Sequence, residues 1–268
     1  MQASSTWEPP GGTLGRILEE TKRRLPSLEA GQIRVTPEKE RPSLRLALRR
    51  DNVAVIAELK RRSPSKGVLN SALNAGQSLL FERGGASAIS VLTEPEFFGG
   101  TIDDLIAVRS TVSLPLLKKD FHIDASQLVE ARTAQASAVL LIARALPPDD
   151  LPKLMTAARH LELETLVEVR DERELERALE AGADIIGVNS RNLETLEVDE
   201  RVPRRLVPLI PPHLIAVWES GIESVEDVQR AAERGADAVL VGSALSRSQD
   251  PTELVSAMSK VPRVSRHG

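Results

Sequence analysis

The sequence has no cysteine and no tyrosine, and aromatic residues make up only 2% of its 268 positions. The absence of cysteine excludes disulfide bonds, thiolate metal sites and cysteine nucleophiles. So few aromatic side chains argue against a stacking platform for nucleic acid. Histidine occurs only four times, which makes a metal site rich in imidazole ligands improbable. We therefore expect no metal site of either kind.

Long apolar runs and an excess of positive charge are also missing. The longest apolar run, Ala138 to Ala143, is far shorter than the roughly 20 residues that span a bilayer. The segment Met1 to Ser5 has no apolar signal core. The formal net charge is -4, and no basic stripe points to nucleic acid. We expect a cytoplasmic protein that binds neither a membrane nor a nucleic acid.

The sequence does contain a series of short runs rich in valine, isoleucine and leucine. We predict strands at Val53–Glu58, Ala88–Leu92, Pro115–Lys119, Ala138–Ile142, Thr165–Val169, Asp184–Val188, Leu214–Trp218 and Ala238–Val241. Nearly continuous apolar character is typical of parallel strands that are buried on both faces. Amphipathic, charged stretches lie between these strands and indicate the intervening helices.

A weak internal repeat supports a closed barrel. Short segments of small residues, which begin at Gly85, Ala136, Gly182 and Gly235, precede the second, fourth, sixth and eighth predicted strands. Glycine suits a helix C-terminus, where a left-handed residue is needed. We predict an α/β fold of the (β/α)8 TIM barrel type with an N-terminal helical extension. An open doubly wound sheet is the alternative, but it usually carries a G-x-G-x-x-G turn, and the sequence has none.

The residues before the first strand predict an extension rather than a separate domain. We expect residues 1–52 to form helices at Thr13–Leu25 and Ser43–Arg50, joined by a polar loop over Pro26–Pro42, and to pack on the barrel. The barrel should occupy residues 53–260, and residues 261–268 should form a disordered tail.

Polar and ionisable side chains follow the predicted strands at their carboxyl ends, where barrel enzymes place their active sites. They are Glu58, Lys60, Lys119, Glu168, Asn189, Glu219 and Ser220. Glu58 and Lys60 are two residues apart, so both point to one face of the first strand. A single charge of this kind is often a solvated strand end. The convergence of the whole set on one rim favours an acid/base site.

Two turns and one loop indicate an anionic ligand. Ser220-Gly221 follows the seventh strand and Gly242-Ser243 follows the eighth, in the positions of a phosphate cradle built from backbone N–H groups. The loop Ser63-Pro64-Ser65-Lys66-Gly67 supplies small residues, hydroxyls and a cation. Tight turns without a ligand are the alternative interpretation. The pattern indicates a phosphate but no particular reaction.

In chain order, these segments resemble the indole-3-glycerol phosphate synthase family. The resemblance spans about residues 13 to 258, at the family's spacing. Its motifs are Ile56–Lys60, Ser63–Gly67, Ser90–Glu94, Phe97–Gly100, Leu117–Phe121, Leu166–Val169, Ile186–Leu193, Glu219–Ile222 and Val241–Ser243.

The resemblance implies a carboxy-lyase that closes the indole ring in tryptophan biosynthesis. Its small-molecule substrate, which joins an anthranilate to a sugar phosphate, is 1-(2-carboxyphenylamino)-1-deoxyribulose 5-phosphate. The products are indole-3-glycerol phosphate, CO2 and water, and no cofactor or metal is needed. We expect a monomer.

The resemblance also implies roles for individual residues. Lys119 would protonate the substrate carbonyl, Glu168 would take part in the final dehydration, and Glu58 and Lys60 would complete the proton-transfer set. A lysine near other cations has a lowered pKa, which suits a general acid. Which lysine serves which step stays open. Asn189, Glu219 and Ser220 would orient the substrate and intermediates. The phosphate would be bound by Ser63, Arg191, Gly221, Gly242 and Ser243. The anthranilate ring would lie among Phe98, Phe121, Leu140 and Leu193, and Pro64 would also belong to the substrate site.

The sequence departs from the family pattern at a few positions. Trp218 stands where a small residue is usual, and it either narrows the pocket or packs between strands and helices. His122 replaces an isoleucine or valine and is expected at the surface, and Arg62 replaces an alanine. The segment Val68 to Gln77 lacks the acidic, proline-containing entry to the first barrel helix.

Two other functions remain open from the residues alone. One is a different enzyme of a phosphate-binding barrel, either a sugar-phosphate isomerase or an aldolase that forms a Schiff base on Lys119 or Lys60. The other is a barrel that still binds phosphate but has lost turnover through Trp218. The match of many motifs in order favours the ring-closing synthase over a likeness of fold alone.

Overall fold

The computed structural model describes residues 7–30, 41–65, 67–68 and 74–266. Parts of three predicted segments lie outside these ranges. They are residues 31–40 of the predicted loop Pro26–Pro42, Lys66 of the loop after the first strand, and residues 69–73 of the segment Val68 to Gln77. None of the helices in the described ranges is long and apolar enough to cross a bilayer.

Eight parallel strands form a closed barrel, and a short antiparallel pair follows the first of them. The strands are β1 (Ala54–Leu59), β2 (Arg62–Ser63), β3 (Gly67–Val68), β4 (Ala88–Leu92), β5 (Leu116–Lys119), β6 (Ala138–Ile142), β7 (Glu164–Val169), β8 (Ile185–Asn189), β9 (Ile215–Glu219) and β10 (Ala238–Val241). Around the barrel their order is β1, β10, β9, β8, β7, β6, β5, β4, with β4 pairing back to β1. The predicted (β/α)8 barrel is confirmed.

Helices surround the barrel and precede it. They are α1 (Gly12–Ala30), α2 (Leu44–Ala47), α3 (Gly76–Arg83), α4 (Pro95–Phe98), α5 (Ile102–Thr111), α6 (Ala125–Thr133), α7 (Asp150–His160), α8 (Glu172–Glu180), α9 (Arg201–Leu206), α10 (Val225–Glu233), α11 (Ser243–Arg247) and α12 (Pro251–Met258). Helix α10 begins with a capping box, in which Ser224 and Asp227 each bond the other's backbone N–H.

The predicted strands agree with the barrel strands to within a residue or so at their ends. The pair β2–β3 was not predicted, because two residues are too few to show an alternating pattern. Helix α1 also extends beyond Leu25, the predicted end, and contains Pro26. A proline removes one helical hydrogen bond and often ends a helix. The bond lost at Pro26 is the one to the Lys22 carbonyl, and the adjacent Ser27 hydroxyl donates to the Arg24 carbonyl at 2.6 Å.

The N-terminal extension packs against opposite ends of the barrel. At the amino ends of the strands, the Ser43 hydroxyl and the Arg45 N–H donate to the Glu164 carboxylate at 2.6 and 3.0 Å. At the carboxyl ends, the N–H of Thr13 donates to the carbonyl of Glu194, in the loop after β8, at 3.0 Å. Leu14 of α1 is fully buried in the same apolar cluster as the barrel interior.

The barrel strands separate two apolar layers. Inward residues such as Ile56, Leu166 and Val217 pack inside the barrel, whereas Val55, Val167 and Trp218 pack between the strands and the outer helices. Trp218 is only 3% exposed. Of the two interpretations offered for this residue, packing in the layer between strands and helices is therefore the observed one.

Residues 261–266, expected to be part of a disordered tail, lie against the barrel. Val261 is buried, and Asn52 and Pro262 form an antiparallel bridge. Arg266 pairs with Asp237 at 2.7 Å and donates to the Leu214 carbonyl at the same distance. These charged and backbone contacts attach the segment to the amino ends of neighbouring strands. His267 and Gly268 lie outside the described residues.

We propose that residues 1–52 form the extension and that residues 53–260 form the barrel.

We predict that Trp218→Ala lowers the free energy of unfolding by about 3–5 kcal/mol, the usual cost of truncating a buried aromatic side chain. Leu209→Ala, at a position that is 53% exposed, should change it by no more than about 0.5 kcal/mol. Urea denaturation followed by circular dichroism measures both. Equal effects of the two substitutions would mean that Trp218 does not pack as described.

Candidate active site

A cavity of about 500 Å³ opens at the carboxyl ends of the barrel strands. Each of the eight barrel strands, or the loop directly after it, contributes at least one side chain to its lining. A volume in this range is typical of sites for small molecules. The parallel arrangement of the strands explains the convergence, because all their carboxyl ends meet at one rim.

The structure brings all the predicted site residues to this one cavity. The lining includes those given catalytic roles in the sequence analysis, Glu58, Lys60, Lys119, Glu168, Asn189 and Ser220. It also includes those given binding roles, Ser63, Pro64, Phe98, Phe121, Leu140, Arg191, Leu193, Glu219, Gly221, Gly242 and Ser243.

Other lining residues were not predicted. Ile17 comes from α1, and no sequence signal showed that this helix reaches the mouth of the barrel. Asp120 directly follows Lys119 at the carboxyl end of β5, so its position after a strand indicates a site residue. Apolar residues of the wall were also missed, namely Leu92, Ile142, Leu196, Val198, Ile222 and Leu240, as was Glu223, whereas Ser65 belongs to the loop predicted to bind an anionic ligand.

Two ammonium groups lie among three buried carboxylates inside the cavity. Lys60 Nζ is 2.7 Å from Glu58 Oε1. Lys119 Nζ is 3.5 Å from Glu219 Oε2 and 3.8 Å from Glu168 Oε2. Glu58, Glu168 and Glu219 are each at least nine-tenths buried. Acid and base groups therefore lie close together here, and the carboxylates are shielded from bulk water.

Two glycines provide the room that these carboxylates occupy. A β-carbon at Gly187, in β8, would overlap Glu219 Oε1. A β-carbon at Gly242, after β10, would overlap Glu58 Oε1 and would lie 3.0 Å from Lys60 Nζ. Any larger residue at either position would displace a charged side chain.

The surroundings shift the pKa values of the cluster in different directions. Burial raises the pKa of Glu219, and the neighbouring carboxylates Glu168 and Glu58 raise it further against the opposing charge of Lys119. Burial also disfavours the ionised form of Glu58, but Lys60 and Lys119 outweigh it and hold the pKa below its ordinary value. Glu219 thus holds a proton more readily than Glu58 does.

Lys119 differs from its prediction in one respect. Burial disfavours its charged form, but the carboxylates of Glu219, Glu168 and Glu58 outweigh burial and raise its pKa. The expected lowering of the pKa is wrong, because the nearest neighbours of the ammonium are carboxylates rather than other cations. Lys119 is therefore positively charged at neutral pH.

The carboxylates have acceptor capacity that the described part of the chain does not use. Glu219 Oε1 is buried without a hydrogen-bond partner there, and Glu168 Oε2 has only the distant Lys119 ammonium. Buried polar atoms in folded proteins almost always have partners, so exceptions in a cleft indicate a place for a ligand.

The turn after β9 is held in an unusual backbone conformation. Ser220 has a φ of 65°, in the left-handed region, and Gly221 follows with a φ of 77°. The Ser190 hydroxyl lies 2.9 Å from the Glu219 carbonyl and 2.8 Å from the Ser220 carbonyl, and it can donate to either. Strain of this kind concentrates at functional sites and requires support from its surroundings. Here it brings Ser220 and Gly221 to the cavity wall.

An apolar wall faces the charged cluster. The rings of Phe98 and Phe121 have centroids 6.0 Å apart and are tilted by 35°. Leu140 and Leu193 belong to the same apolar cluster and also line the cavity. An aromatic ligand fits such a wall, since tilted and offset arrangements of rings are favourable.

Two departures from the family pattern lie away from the cavity lining. His122 was expected at the surface, and this is wrong, because the side chain is 2% exposed. Its Nδ1 lies 2.8 Å from the Leu140 carbonyl and its Nε2 lies 3.4 Å from Lys118 Nζ. Burial and the charge of Lys118 lower the pKa of His122, so the ring is neutral. Arg62 is exposed in β2.

The sequence profile of the family described as "Indole-3-glycerol phosphate synthase" matches residues 15–258. The chain is 49% identical over 226 residues to "Indole-3-glycerol phosphate synthase 1" of Streptomyces coelicolor, covering 83% of this chain and 84% of that protein. It is 45% identical over 245 residues to the "Indole-3-glycerol phosphate synthase" of Kineococcus radiotolerans, covering 91% and 86%.

Solved structures of lower sequence similarity share the fold. The thiamine phosphate pyrophosphorylase from Pyrococcus furiosus superposes with a TM-score of 0.61 at 18% identity, covering 81% of this chain and 96% of that one. The 3-hexulose-6-phosphate synthase from Salmonella typhimurium gives a TM-score of 0.62 at 17% identity, covering 78% and 97%. At such identities the likeness concerns the barrel alone.

We predict that Glu219 titrates at a higher pH than an ordinary glutamate and Glu58 at a lower one, because burial dominates at Glu219 and two ammonium groups dominate at Glu58. In protein carrying 13C at the glutamate side-chain carboxyls, NMR titration should show the Glu219 resonance among those that change above the usual range, beside those of Glu94 and Glu174, whose pKa values burial also raises. Glu219→Gln should remove one of these resonances, and Glu58→Gln should leave them all. Loss of no such resonance in Glu219→Gln would contradict the assignment.

Proposed function

The chain belongs to the indole-3-glycerol phosphate synthase family, and we propose that its cavity binds 1-(2-carboxyphenylamino)-1-deoxyribulose 5-phosphate and converts it to indole-3-glycerol phosphate, CO2 and water. One observation carries the proposal for the site. The Lys119 ammonium, with Glu168 and Glu219 within 4 Å, shares a single cavity with a wall of aromatic and aliphatic side chains. The reaction needs proton donors and acceptors beside an aryl ring, and this cavity offers both.

In the first step, we assign Lys119 as the general acid. The aromatic carbon that bears the carboxylate attacks the ribulose carbonyl carbon, and a carbon–carbon bond forms. The carbonyl π electrons move to the oxygen, which takes a proton from the Lys119 ammonium. The surrounding carboxylates keep a proton on this lysine at neutral pH, and they also make that proton harder to release than the proton of an ordinary ammonium group.

The second step releases CO2 from the carbon that has just been alkylated. The bond to the carboxylate breaks, and its electron pair returns to the ring system, which neutralises the cation formed on ring closure. This step restores conjugation and needs little from the protein. The apolar wall around Phe98 and Phe121 favours the loss of charge, since a carboxylate is poorly solvated there.

The third step removes water and makes the indole. A base takes a proton from the ring CH2 next to the nitrogen while an acid protonates the departing hydroxyl group, so that the C–H and C–O bonds break, the ring C=C bond forms and water leaves. Glu168 serves as one of these partners in the proposal, with Glu58 and Lys60 completing the proton-transfer set across the cavity. The ion pair of Glu58 and Lys60, at 2.7 Å, holds an acid and a base side by side for the proton transfers of the dehydration.

Substrate binding divides between the two sides of the cavity. We assign the phosphate to the loops after β1, β8, β9 and β10, through Ser63, Arg191, Gly221, Gly242 and Ser243. The aryl ring lies against Phe98, Phe121, Leu140 and Leu193, and Pro64 closes the substrate site at the first loop. Asn189, Glu219 and Ser220 orient the substrate and intermediates between these two ends.

The alternative functions fit the cavity less well. An aldolase needs an uncharged lysine to form a Schiff base, whereas the carboxylates around Lys119 favour its charged form. A barrel without turnover requires Trp218 to block the pocket, but its side chain packs outside the barrel. The proton-transfer chemistry of the proposed synthase requires a charged lysine beside carboxylates, which is the arrangement around Lys119.

We propose that the enzyme acts as a monomer in the cytoplasm. Its exposed large apolar side chains, such as Leu46, Val129 and Leu209, come from parts of the chain that are far apart in the sequence. Phosphorylated intermediates of amino-acid biosynthesis do not cross membranes unaided, which favours the compartment where they are made.

The proposed function is tested by adding the substrate to purified protein and following indole fluorescence. We expect formation of indole-3-glycerol phosphate, with release of one CO2 for each product molecule. Borohydride in the presence of substrate should leave the protein mass unchanged. A stable borohydride adduct on Lys119 or Lys60 without product would replace the synthase proposal with the aldolase one.

We predict that Lys119→Ala lowers kcat at least about a hundredfold, the usual scale for a positioned general acid. The fold and phosphate binding should persist, as judged by circular dichroism and calorimetry with inorganic phosphate. Lys153→Ala is the matched control, because that lysine is 71% exposed and distant from the cavity lining. A kcat near that of the parent for Lys119→Ala would transfer the role of general acid to Lys60.

A further inference from the structure

The two phenylalanines of the apolar wall are each anchored by a buried carboxylate. Glu94 caps the start of α4, and its Oε2 accepts hydrogen bonds from the backbone N–H groups of Phe97 at 2.7 Å and Phe98 at 3.0 Å. The Oδ1 of Asp120 accepts one from the backbone N–H of Phe121 at 2.9 Å. The position of each ring therefore depends on the carboxylate beside it.

Arg24 of the extension lies between these two carboxylates. Its NH2 nitrogen is 3.8 Å from Glu94 Oε1 and also 3.8 Å from Asp120 Oδ1. Both carboxylates are almost fully buried, and the arginine side chain is 27% exposed. Arg24 does not belong to the cavity lining, so it does not contact a bound substrate there. One cation thus connects the anchors of both rings from outside the site.

Charge balance makes this connection consequential. Two buried carboxylates repel each other and favour protonation unless a cation offsets them. Lys118 and the Thr93 hydroxyl support Asp120 at 3.4 and 2.6 Å, but Glu94 has Arg24 as the only cation paired with it in the described residues. Without Arg24, Glu94 would lose that counter-ion, and no ionic contact within the described residues would connect the two carboxylates.

We propose that Arg24 is a positioning residue that sets the spacing of Phe98 and Phe121 and thereby the affinity of the site for the aryl ring. The inference rests on the proposed function, because the aryl ring is that of the proposed substrate. It gives Arg24 of α1 an effect on substrate binding that acts through two carboxylates, in addition to the direct contribution of Ile17 to the cavity lining.

Steady-state kinetics of Arg24→Gln provide the first test. We expect KM to rise roughly tenfold with kcat changed no more than about twofold, since binding made equally in the ground and transition states affects KM alone. Arg23→Gln is the control, because the neighbouring arginine is 73% exposed and pairs with Glu20 on the same helix. Arg24→Lys, which keeps the charge, should recover part of the loss. Identical kinetics of the two glutamine variants would overturn the proposal.

Calorimetry with two ligands separates positioning from a general weakening of the site. Indole-3-glycerol phosphate carries the ring, and glycerol 3-phosphate lacks it. Arg24→Gln should raise the Kd of the first about tenfold and leave that of the second unchanged. On a Phe98→Ala background, Arg24→Gln should have much less effect on the ring-bearing ligand. Equal weakening of both ligands would assign Arg24 to the phosphate or to stability, and would overturn the proposal.

A second variant covers the case in which Arg24→Gln does not fold. Glu94→Gln removes the charge from the same bridge but keeps an oxygen that accepts from Phe98, and it should give the same selective loss of the ring-bearing ligand. Parent-like binding of both ligands by this variant would overturn the proposal. A parent protein that neither binds indole-3-glycerol phosphate nor forms it would instead overturn the proposed function, and this inference with it.

Discussion

The burial of charge at the mouth of the barrel governs the rest of the structure. Transferring a carboxylate or an ammonium out of water is costly, and each such group must be offset by a partner of opposite charge. The cavity meets this requirement incompletely, with the carboxylates of Glu58, Glu168 and Glu219 around the ammonium groups of Lys60 and Lys119. The excess negative charge contributes to the raised pKa of Glu219, so this carboxyl group holds a proton more readily than an ordinary glutamate does. A fully neutralised cluster would be more stable and would have less capacity for acid/base chemistry.

This constraint reaches the backbone and the outer layer. Gly187 and Gly242 lack side chains where the carboxylates need space, and the left-handed Ser220 is supported by Ser190 because the turn must face the cavity. The same principle recurs beyond the cavity, where Arg24 offsets carboxylates that hold the aromatic wall. Each of these features costs some local stability. The barrel, with two apolar layers around its strands, supplies the stability that such sites require.

The sequence predicted the barrel well because its signals are local. Runs of branched apolar residues mark strands, and strand ends mark the site, so the sequence alone was enough to place residues such as Glu168 at the rim. What failed depends on contacts between distant segments. The burial of His122 arises from the Leu140 carbonyl, the raised pKa of Lys119 from carboxylates on other strands, and the place of Ile17 from the docking of α1. No spacing within one segment carries that information.

The extension has a consequence for the order in which the molecule is assembled. It leaves the ribosome before the barrel, yet its hydrogen-bonding partners are far along the chain: the Gly11 N–H binds Glu194, 183 residues later, and Arg41 binds Glu162, 121 residues later. Contacts of such long range form slowly, because much of the chain must be ordered first. The extension therefore cannot complete these contacts until the chain has been synthesised past the fifth and sixth barrel strands, β7 and β8, and the active site matures late in biosynthesis.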